Sequence, residues 1–444
     1  MEQNKKKESE EKLNKINYKL EIEEFNESKK FGSFILYWAG QQASLLGSSI
    51  VSFIIIWWLT IRTQSEIILG TASLLSLGPF ILIAPLSGVI ADRFNRKSLL
   101  ISFDAIQAIL TVFLSVLFFA NYTSVMIILI LLGSRGTCQA FQLPISMAIT
   151  PTMVPAKILS RINGLTYLFN GAINIIGPFI AAILLSIPYI NIGMILWIDI
   201  GTFVIALITL IIIKIPLVPT NLIEKNQSFI NQFLDGFNAL RKVNGLIALL
   251  FGALIINFFN TPIQAMLPLL VSKIYSGIES DYALVVGMFQ SALVIGGLIM
   301  SFVKNIKKPV LILMLGIVCM YICQAVIAFI PTNFEARFWI IGIVIFLFAL
   351  PTAVIDVAFI TSIQLLIPKE KLGRVMAAIM AIAPAIRPLG QFLSGIIAEF
   401  IGIQMLLIFS SIIGLIIIGF LYRLSPMKLI DEEITRIMKV NNFN

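Results

Sequence analysis

Histidine is absent from all 444 residues. That excludes a His-ligated metal, a Ser-His-Asp triad and a histidine proton relay. Cysteine is scarce. Cys138, Cys319 and Cys323 lie in apolar runs, where buried small hydrophobes are expected and a disulfide framework is not. Charge is thin as well: 12% of residues are Asp, Glu, Lys or Arg, against about 25% in a soluble domain. No G-x-x-x-x-G-K-[ST] stretch occurs, so there is no loop for ATP phosphates, and uphill work needs another energy source. No cofactor, no metal and no enzymatic activity are expected, since no paired nucleophile and base stands out.

What is present is apolar surface. Hydrophobic residues make up 58% of the chain and the mean hydropathy is +0.97. That much cannot be hidden inside a water-soluble body. Twelve apolar runs stand between short charged loops: 33–59, 67–91, 99–120, 125–152, 162–186, 193–213, 245–271, 282–303, 309–330, 337–367, 375–400 and 405–423. Most match or exceed the roughly 20 residues that span a bilayer as a helix, so tilted or kinked helices are expected. Barrel strands would be about half as long and would alternate apolar with polar. The expected fold class is therefore an all-α polytopic membrane protein.

Lys and Arg give the orientation. The two tails and the even-numbered connections hold 27 of the 32, and the odd-numbered connections hold Arg62, Lys273 and Arg337 only. By the positive-inside rule both termini are expected in the cytoplasm of a multi-pass plasma (inner) membrane protein. The net charge of +9 is then a topology signal, and no nucleic-acid partner is expected because the positive residues are scattered over separate loops. Residues 1–30 read as a charged cytoplasmic tail without the apolar core of a cleaved leader.

The longest connection divides the chain. The expected organisation is a six-helix half over 31–213, a cytoplasmic linker over 214–244, a second half over 245–423 and a tail over 424–444. Phe229, Phe233, Phe237 and Leu240 recur at helical spacing in the linker, fit for a helix lying on the membrane surface. A weak internal repeat supports the division: Val154-Pro-Ala-Lys-Ile-Leu-Ser-Arg161 and Ile367-Pro-Lys-Glu-Lys-Leu-Gly-Arg374 stand 213 residues apart. Parallel halves around a midplane site are a transporter architecture.

The loop after span 2 reads Gly88-Val-Ile-Ala-Asp92-Arg93-Phe-Asn-Arg96-Lys97. It resembles the G-x-x-x-D-R-x-x-R-[KR] signature of the major facilitator superfamily, with Asn95 where a small residue is usual. The resemblance implies the twelve-helix major facilitator fold and a charge network that latches the cytoplasmic gate in the outward-open state. Asp104, shallow in span 3, is grouped with this gate. Span 5 carries Gly177-Pro178 and Ala181-Ala182, which is similar to the G-P-x-x-G-G stretch of proton-coupled exporters, with alanines where glycines are usual. Trp38–Ser44, Arg135, Ile198-Asp199 and Thr261–Leu269 resemble the macrolide-efflux branch. In related exporters an arginine in span 4 is implicated in proton transfer, and the resemblance assigns that role to Arg135.

Charges inside spans ask for a partner or for water, because one at mid-bilayer costs roughly 2.5–3.5 kcal/mol on insertion scales. Asp356 of span 10 and Arg387 of span 11 lie 11 and 12 residues from their cytoplasmic ends. That is roughly 16–18 Å at 1.5 Å per residue, so they are expected to pair, structurally or as a proton-linked pair. Arg135 and Asp199 are expected to meet in the outer leaflet. Neutral polar residues form stripes at helical spacing: Gln139 and Gln142 beside Arg135; Tyr167, Asn170 and Asn174; Asn257, Asn260 and Gln264; Gln391 beside Arg387. With Trp38 and Gln41 they are the expected lining of a hydrated cavity, whose aromatic wall suits a large amphipathic molecule. The expected activity is proton-coupled efflux of an amphipathic, macrolide-like drug by alternating access, performed by a monomer whose partners are substrate, protons and bilayer. An exporter of a lipid, siderophore or metabolite is the rival on the same fold, and a non-transporting receptor or scaffold the rival of another class.

Overall fold

A computed structural model of the chain describes the backbone at residues 2–215, 235, 237–303, 306 and 308–440, and the side chains there other than those of 2–29, 82, 84–93, 148, 156, 369–370, 374, 377, 380–381 and 438–440. The described residues form helices and connections, with no strand among them. The helices are α1 Glu2–Thr63, α2 Glu66–Arg93, α3 Arg96–Phe119, α4 Val125–Met153, α5 Ala156–Leu185 and α6 Ile192–Ile212. Then follow α7 Leu246–Phe259, α8 Thr261–Leu269, α9 Glu279–Phe302, α10 Pro309–Ile327, α11 Arg337–Leu366, α12 Lys369–Ile382, α13 Ile386–Ile401, α14 Ile403–Leu424 and α15 Met427–Val440.

Ten described segments are long and apolar enough to cross a membrane, one of them running through α7 and α8 to Ile274. The other two expected spans coincide with α2, whose Glu66–Ile81 part is apolar, and with the pair α12–α13. The α12–α13 break falls at residues 383–385, which include Pro384. A second break, after Phe259, precedes Pro262, which has no N–H to offer the Phe258 carbonyl. The Thr261 hydroxyl donates to that carbonyl at 2.6 Å, and Gln324 Nε2 of α10 donates to Phe259 O at 3.2 Å. The freed backbone is thus satisfied from side chains, as lipid-embedded backbone requires.

Helix starts are capped by side chains the sequence supplies. Asn95 accepts from Lys97 N at 2.9 Å and Ser98 N at 3.3 Å, and Asn191 accepts from Gly193 N at 2.8 Å. The α10 start is capped from a distance. Asp431 of α15 accepts from Val310 N at 2.8 Å and Leu311 N at 3.2 Å. α15 is amphipathic and buries Met427, Ile430 and Ile434. Gly245, at φ +91°, starts α7 where a Cβ would stand 2.8 Å from Pro426 O. The first part of the tail expected at 424–444 is a docked helix, because three apolar side chains at helical spacing find a partner surface.

Most of the linker expected at 214–244 lies outside the described residues. Phe229 and Phe233 lie outside them. Residues 237–241 are helical, Leu240 is buried, and the Arg241 guanidinium lies 5.6 Å from the Phe237 ring centre. The tail expected at 1–30 continues α1 as helix.

Two faces organise the bundle. One, the α15 face, carries the starts of α3, α7 and α10. The opposite face carries the α1–α2 and α13–α14 junctions. Near the opposite face Gly70 of α2 meets Gly395 of α13, where a Cβ on Gly70 would come within 3.1 Å of Gly395 Cα. Backbones this close leave no room for side chains. Phe53 and Trp57 of α1 stack on Tyr282 of α9 at 4.9 and 5.3 Å between ring centres. Further in, α9 follows α5, with Gly287 against Phe179 and Gly297 beside Tyr167.

Candidate functional site

α3 presents one buried polar stripe: Asp104, Gln107, Thr111 and Ser115 at i, i+3, i+7 and i+11. Its end toward the α15 face is an amide network. Gln41 Nε2 of α1 donates to Asp104 Oδ2 at 3.1 Å, Gln142 Nε2 of α4 donates to Asp104 Oδ1, and Gln107 Nε2 donates to Gln142 Oε1 at 2.6 Å. Both Asp104 oxygens thus accept from residues expected to line the cavity. One turn before Gln41, Trp38 Nε1 donates to Thr166 Oγ1 of α5 at 2.9 Å, and the indole meets Phe169 edge-on at 4.8 Å.

Farther along the stripe lies the ion pair. Arg135 Nη1 of α4 stands 2.9 Å from Asp199 Oδ2 of α6, with both side chains buried at 5% and 0% exposure. Thr111 Oγ1 bonds Asp199 Oδ2 at 3.0 Å and receives Arg135 Nη1, and Ser48 Oγ of α1 donates to Asp199 Oδ1 at 3.3 Å. Arg135 and Asp199 therefore meet, as expected, and four helices share the cluster. Arg135 Nη2 has no hydrogen-bond partner among the described residues, and the residue borders a small cavity with Val51, Ser52, Ile55, Leu114, Ile128 and Leu132.

The second expected pair is corrected. Asp356 on α11 is exposed and makes neither ion pair nor hydrogen bond among the described residues. Arg387 Nε instead donates to Asn257 Oδ1 of α7 at 2.5 Å. Arg387 follows the 383–385 break, so a depth count along an unbroken helix does not fix its partner. Around the α7–α8 break the buried Asn260 Oδ1, Gln324 Oε1 and Gln391 Oε1 have no donor. Tyr167, Asn174 and Gln264 are exposed, and Gln139 and Asn170 are half-buried.

Of the gate motif, the Gly88, Asp92 and Arg93 side chains lie outside the described residues. Lys97 Nζ donates to Ile211 O at 2.9 Å and Ile213 O at 2.7 Å, holding the C-terminal end of α6, while Arg96 is half-buried. In the span-5 stretch a Cβ on Gly177 would collide with Ser49 Oγ, and Pro178, Ala181 and Ala182 are buried. Gly177 thus packs its helix against Ser49 of α1.

Sequence reasoning missed the seam on the opposite face. Lys273 Nζ, in a wide helical turn after α8, stands 2.8 Å from Glu66 Oε1 and donates to Gln64 O at 3.2 Å. Gln64 has φ +48°, which aims its carbonyl out of the helix. Both charges sit at span ends, where the search for mid-membrane charge does not look. Gln107, Thr111 and Ser115 were missed as well, although their spacing with Asp104 is legible in the sequence.

Comparison with known proteins adds the following. A family profile described as "Transmembrane secretion effector" matches residues 30–442. Macrolide efflux protein A of Streptococcus pyogenes is 31% identical over 388 residues, covering 86% of this chain and 93% of that one. A macrolide efflux protein A of Enterococcus faecalis is 29% identical over 323 residues, covering 72% and 97%. Among solved structures, a bacterial homolog of the human lysosomal transporter Spinster, inward-facing and unoccupied, is similar in fold at TM-score 0.63 and 14% identity, over 92% of this chain and 97% of that one.

Proposed function

Because the chain belongs to the transmembrane secretion effector family of the major facilitator superfamily, and is a membrane transporter and not an enzyme, we propose that it is a secondary active exporter of amphipathic drugs, macrolides among them, driven by inward movement of protons. The work is done by two six-helix halves, 31–213 and 245–423, rocking about a hydrated cavity, with both termini on the cytoplasmic side of the plasma membrane.

The observation that carries this reading is Asp356: an exposed carboxylate with no ion-pair or hydrogen-bond partner among the described residues, in a 30-residue apolar helix. Facing lipid it would cost several kcal/mol, so it faces water inside the bundle. The three unpartnered amide oxygens at the α7–α8 break support the same wet space. Trp38, Phe169 and the exposed Tyr167 give the cavity an aromatic wall, and Gln139, Asn170, Asn174, Asn257, Gln264 and Gln391 give it polar contacts. A flat apolar body with a few polar groups fits that lining better than a sugar does. The closed seam of Glu66–Lys273 and Tyr282, with α5 exposed at Arg161, Asn163 and Tyr167 toward the α15 face, supports an inward-open form.

The experiment is accumulation of labelled erythromycin in cells that express the chain, with and without an uncoupler. Expression is expected to lower accumulation, and collapse of the proton gradient to restore it. Efflux that survives the uncoupler removes proton coupling. Ligand-induced thermal shifts across macrolides, lipids, siderophores and metabolites decide the cargo.

A further inference from the structure

Two carboxylates among the described residues of the first six helices have no exposed surface, and they differ in what neutralises them. Asp199 has a guanidinium at 2.9 Å. Asp104 has no exposed surface and no cation partner among the described residues; its oxygens accept from the neutral amides of Gln41 and Gln142. The titratable groups that feel its charge are the Tyr37 hydroxyl of α1, bonded to Ser146 Oγ at 2.6 Å, and the Cys138 thiol of α4. Neither brings positive charge. A carboxylate cut off from water and held by neutral donors is neutralised by a proton or not at all. Without exposed surface it is closed to an organic cation, while a proton passes along hydrogen bonds.

The amides around it form a chain with a direction. Gln107 donates to Gln142, Gln142 donates to Asp104, and Gln107 Oε1 is left without a partner. A proton on Asp104 Oδ1 turns that oxygen into a donor that needs an acceptor. Rotation of the Gln142 amide supplies one and swings its N–H₂ toward Gln107, whose own rotation presents the oxygen that now has no donor. Uptake of one proton from solution therefore reverses a three-member relay and breaks no covalent bond. It also turns the Gln41 bond from charge-assisted to neutral, about half as strong. Gln41 is one turn from Trp38, so the change is felt where α1 meets Thr166 and Phe169 of α5.

We propose that Asp104 is the site that takes up and releases the coupled proton, with Gln142 and Gln107 as its relay and Gln41 as its link to α1. This rests on the proton-coupled reading above. The test uses purified full-length protein in proteoliposomes, with labelled erythromycin as probe. Two assays are compared: uptake driven by an imposed pH gradient, and exchange of labelled for unlabelled erythromycin, which moves no net proton. Wild type is expected to do both. Asp104→Asn is expected to exchange but to lose gradient-driven uptake at least tenfold, and to lose the protonated-carboxyl band from pH-jump infrared difference spectra. Wild type without gradient-driven uptake sinks the coupled reading, and this proposal with it. A wild type that is driven and an Asp104→Asn that is driven equally overturn the proposal alone. Should Asp104→Asn fail to exchange, Gln142→Leu decides. It keeps the carboxyl and removes one donor from its charged form, so half-maximal uptake should move to higher pH; an unmoved profile overturns the assignment.

Discussion

At the residue scale, the Arg135–Asp199 pair sets the largest single cost. Removing one partner leaves a buried charge without its counterion, which costs about 3–5 kcal/mol. Arg135→Ala and Asp199→Ala should each lower the melting temperature of the detergent-solubilised protein sharply, and Arg135→Met combined with Asp199→Leu should recover part of the loss. Single variants that melt like wild type would mean that water already screens the pair. Asp356→Asn should reduce uncoupler-sensitive efflux about tenfold or more, the equivalent of about 1.4 kcal/mol, with little effect on melting, because Asp356 has no ion-pair or hydrogen-bond partner to lose among the described residues. Efflux at the wild-type rate would remove its role. Arg135 and Asp199 were legible in the sequence because charges inside spans are rare and must be explained. The contacts of Asp356 and Arg387 were not, since a depth count carries no information about a break in the helix between. Gln107 and Thr111 are neutral and escape a search for charge, although they hold together the two carboxylates that such a search finds.

At the element scale, α15 shows what patterning reveals and what it leaves out. Met427, Ile430 and Ile434 at i, i+3 and i+7 announce an amphipathic helix. That its Asp431 caps a helix 121 positions earlier is a tertiary fact without local signature. Burial raises the pKa of Asp431, and the Val310 and Leu311 amides and Lys308 pull it back only in part. A carboxyl raised in this way binds protons more readily docked than free. Docking is then strongest where Asp431 is protonated and weakens as pH rises through the carboxylate range. Hydrogen exchange corrected for intrinsic rates should show α15 better protected in mild acid than at neutral pH. Asp431→Asn should abolish the pH dependence. Asp431→Ala should lose the cap at a cost of about 1 kcal/mol. Protection in α15 that ignores both variants would mean that apolar packing alone holds it.

At the scale of the whole molecule, the apolar runs were legible as helices because a bilayer permits little else, and the signature motif was legible as family. Which helices close against which was not. The Glu66–Lys273 seam depends on Gln64 adopting a left-handed conformation and on a widened turn at Leu270–Ile274, neither written in the hydropathy. If the seam holds the opposite face shut, Lys273→Met should shift the population toward the form open on that face. A cysteine at Ala265, buried at 4% exposure, in a background lacking Cys138, Cys319 and Cys323, should then react faster with an impermeant maleimide. About 1 kcal/mol would appear as about a fivefold rate increase. An unchanged rate would assign closure to the Gly70–Gly395 contact instead. The distant cap has a consequence for biogenesis. The carboxylate that fills the Val310 and Leu311 amides is synthesised only after every hydrophobic segment has been made. A premature stop codon just upstream of Met427 would therefore yield a chain with every apolar segment in place whose ninth begins without its cap.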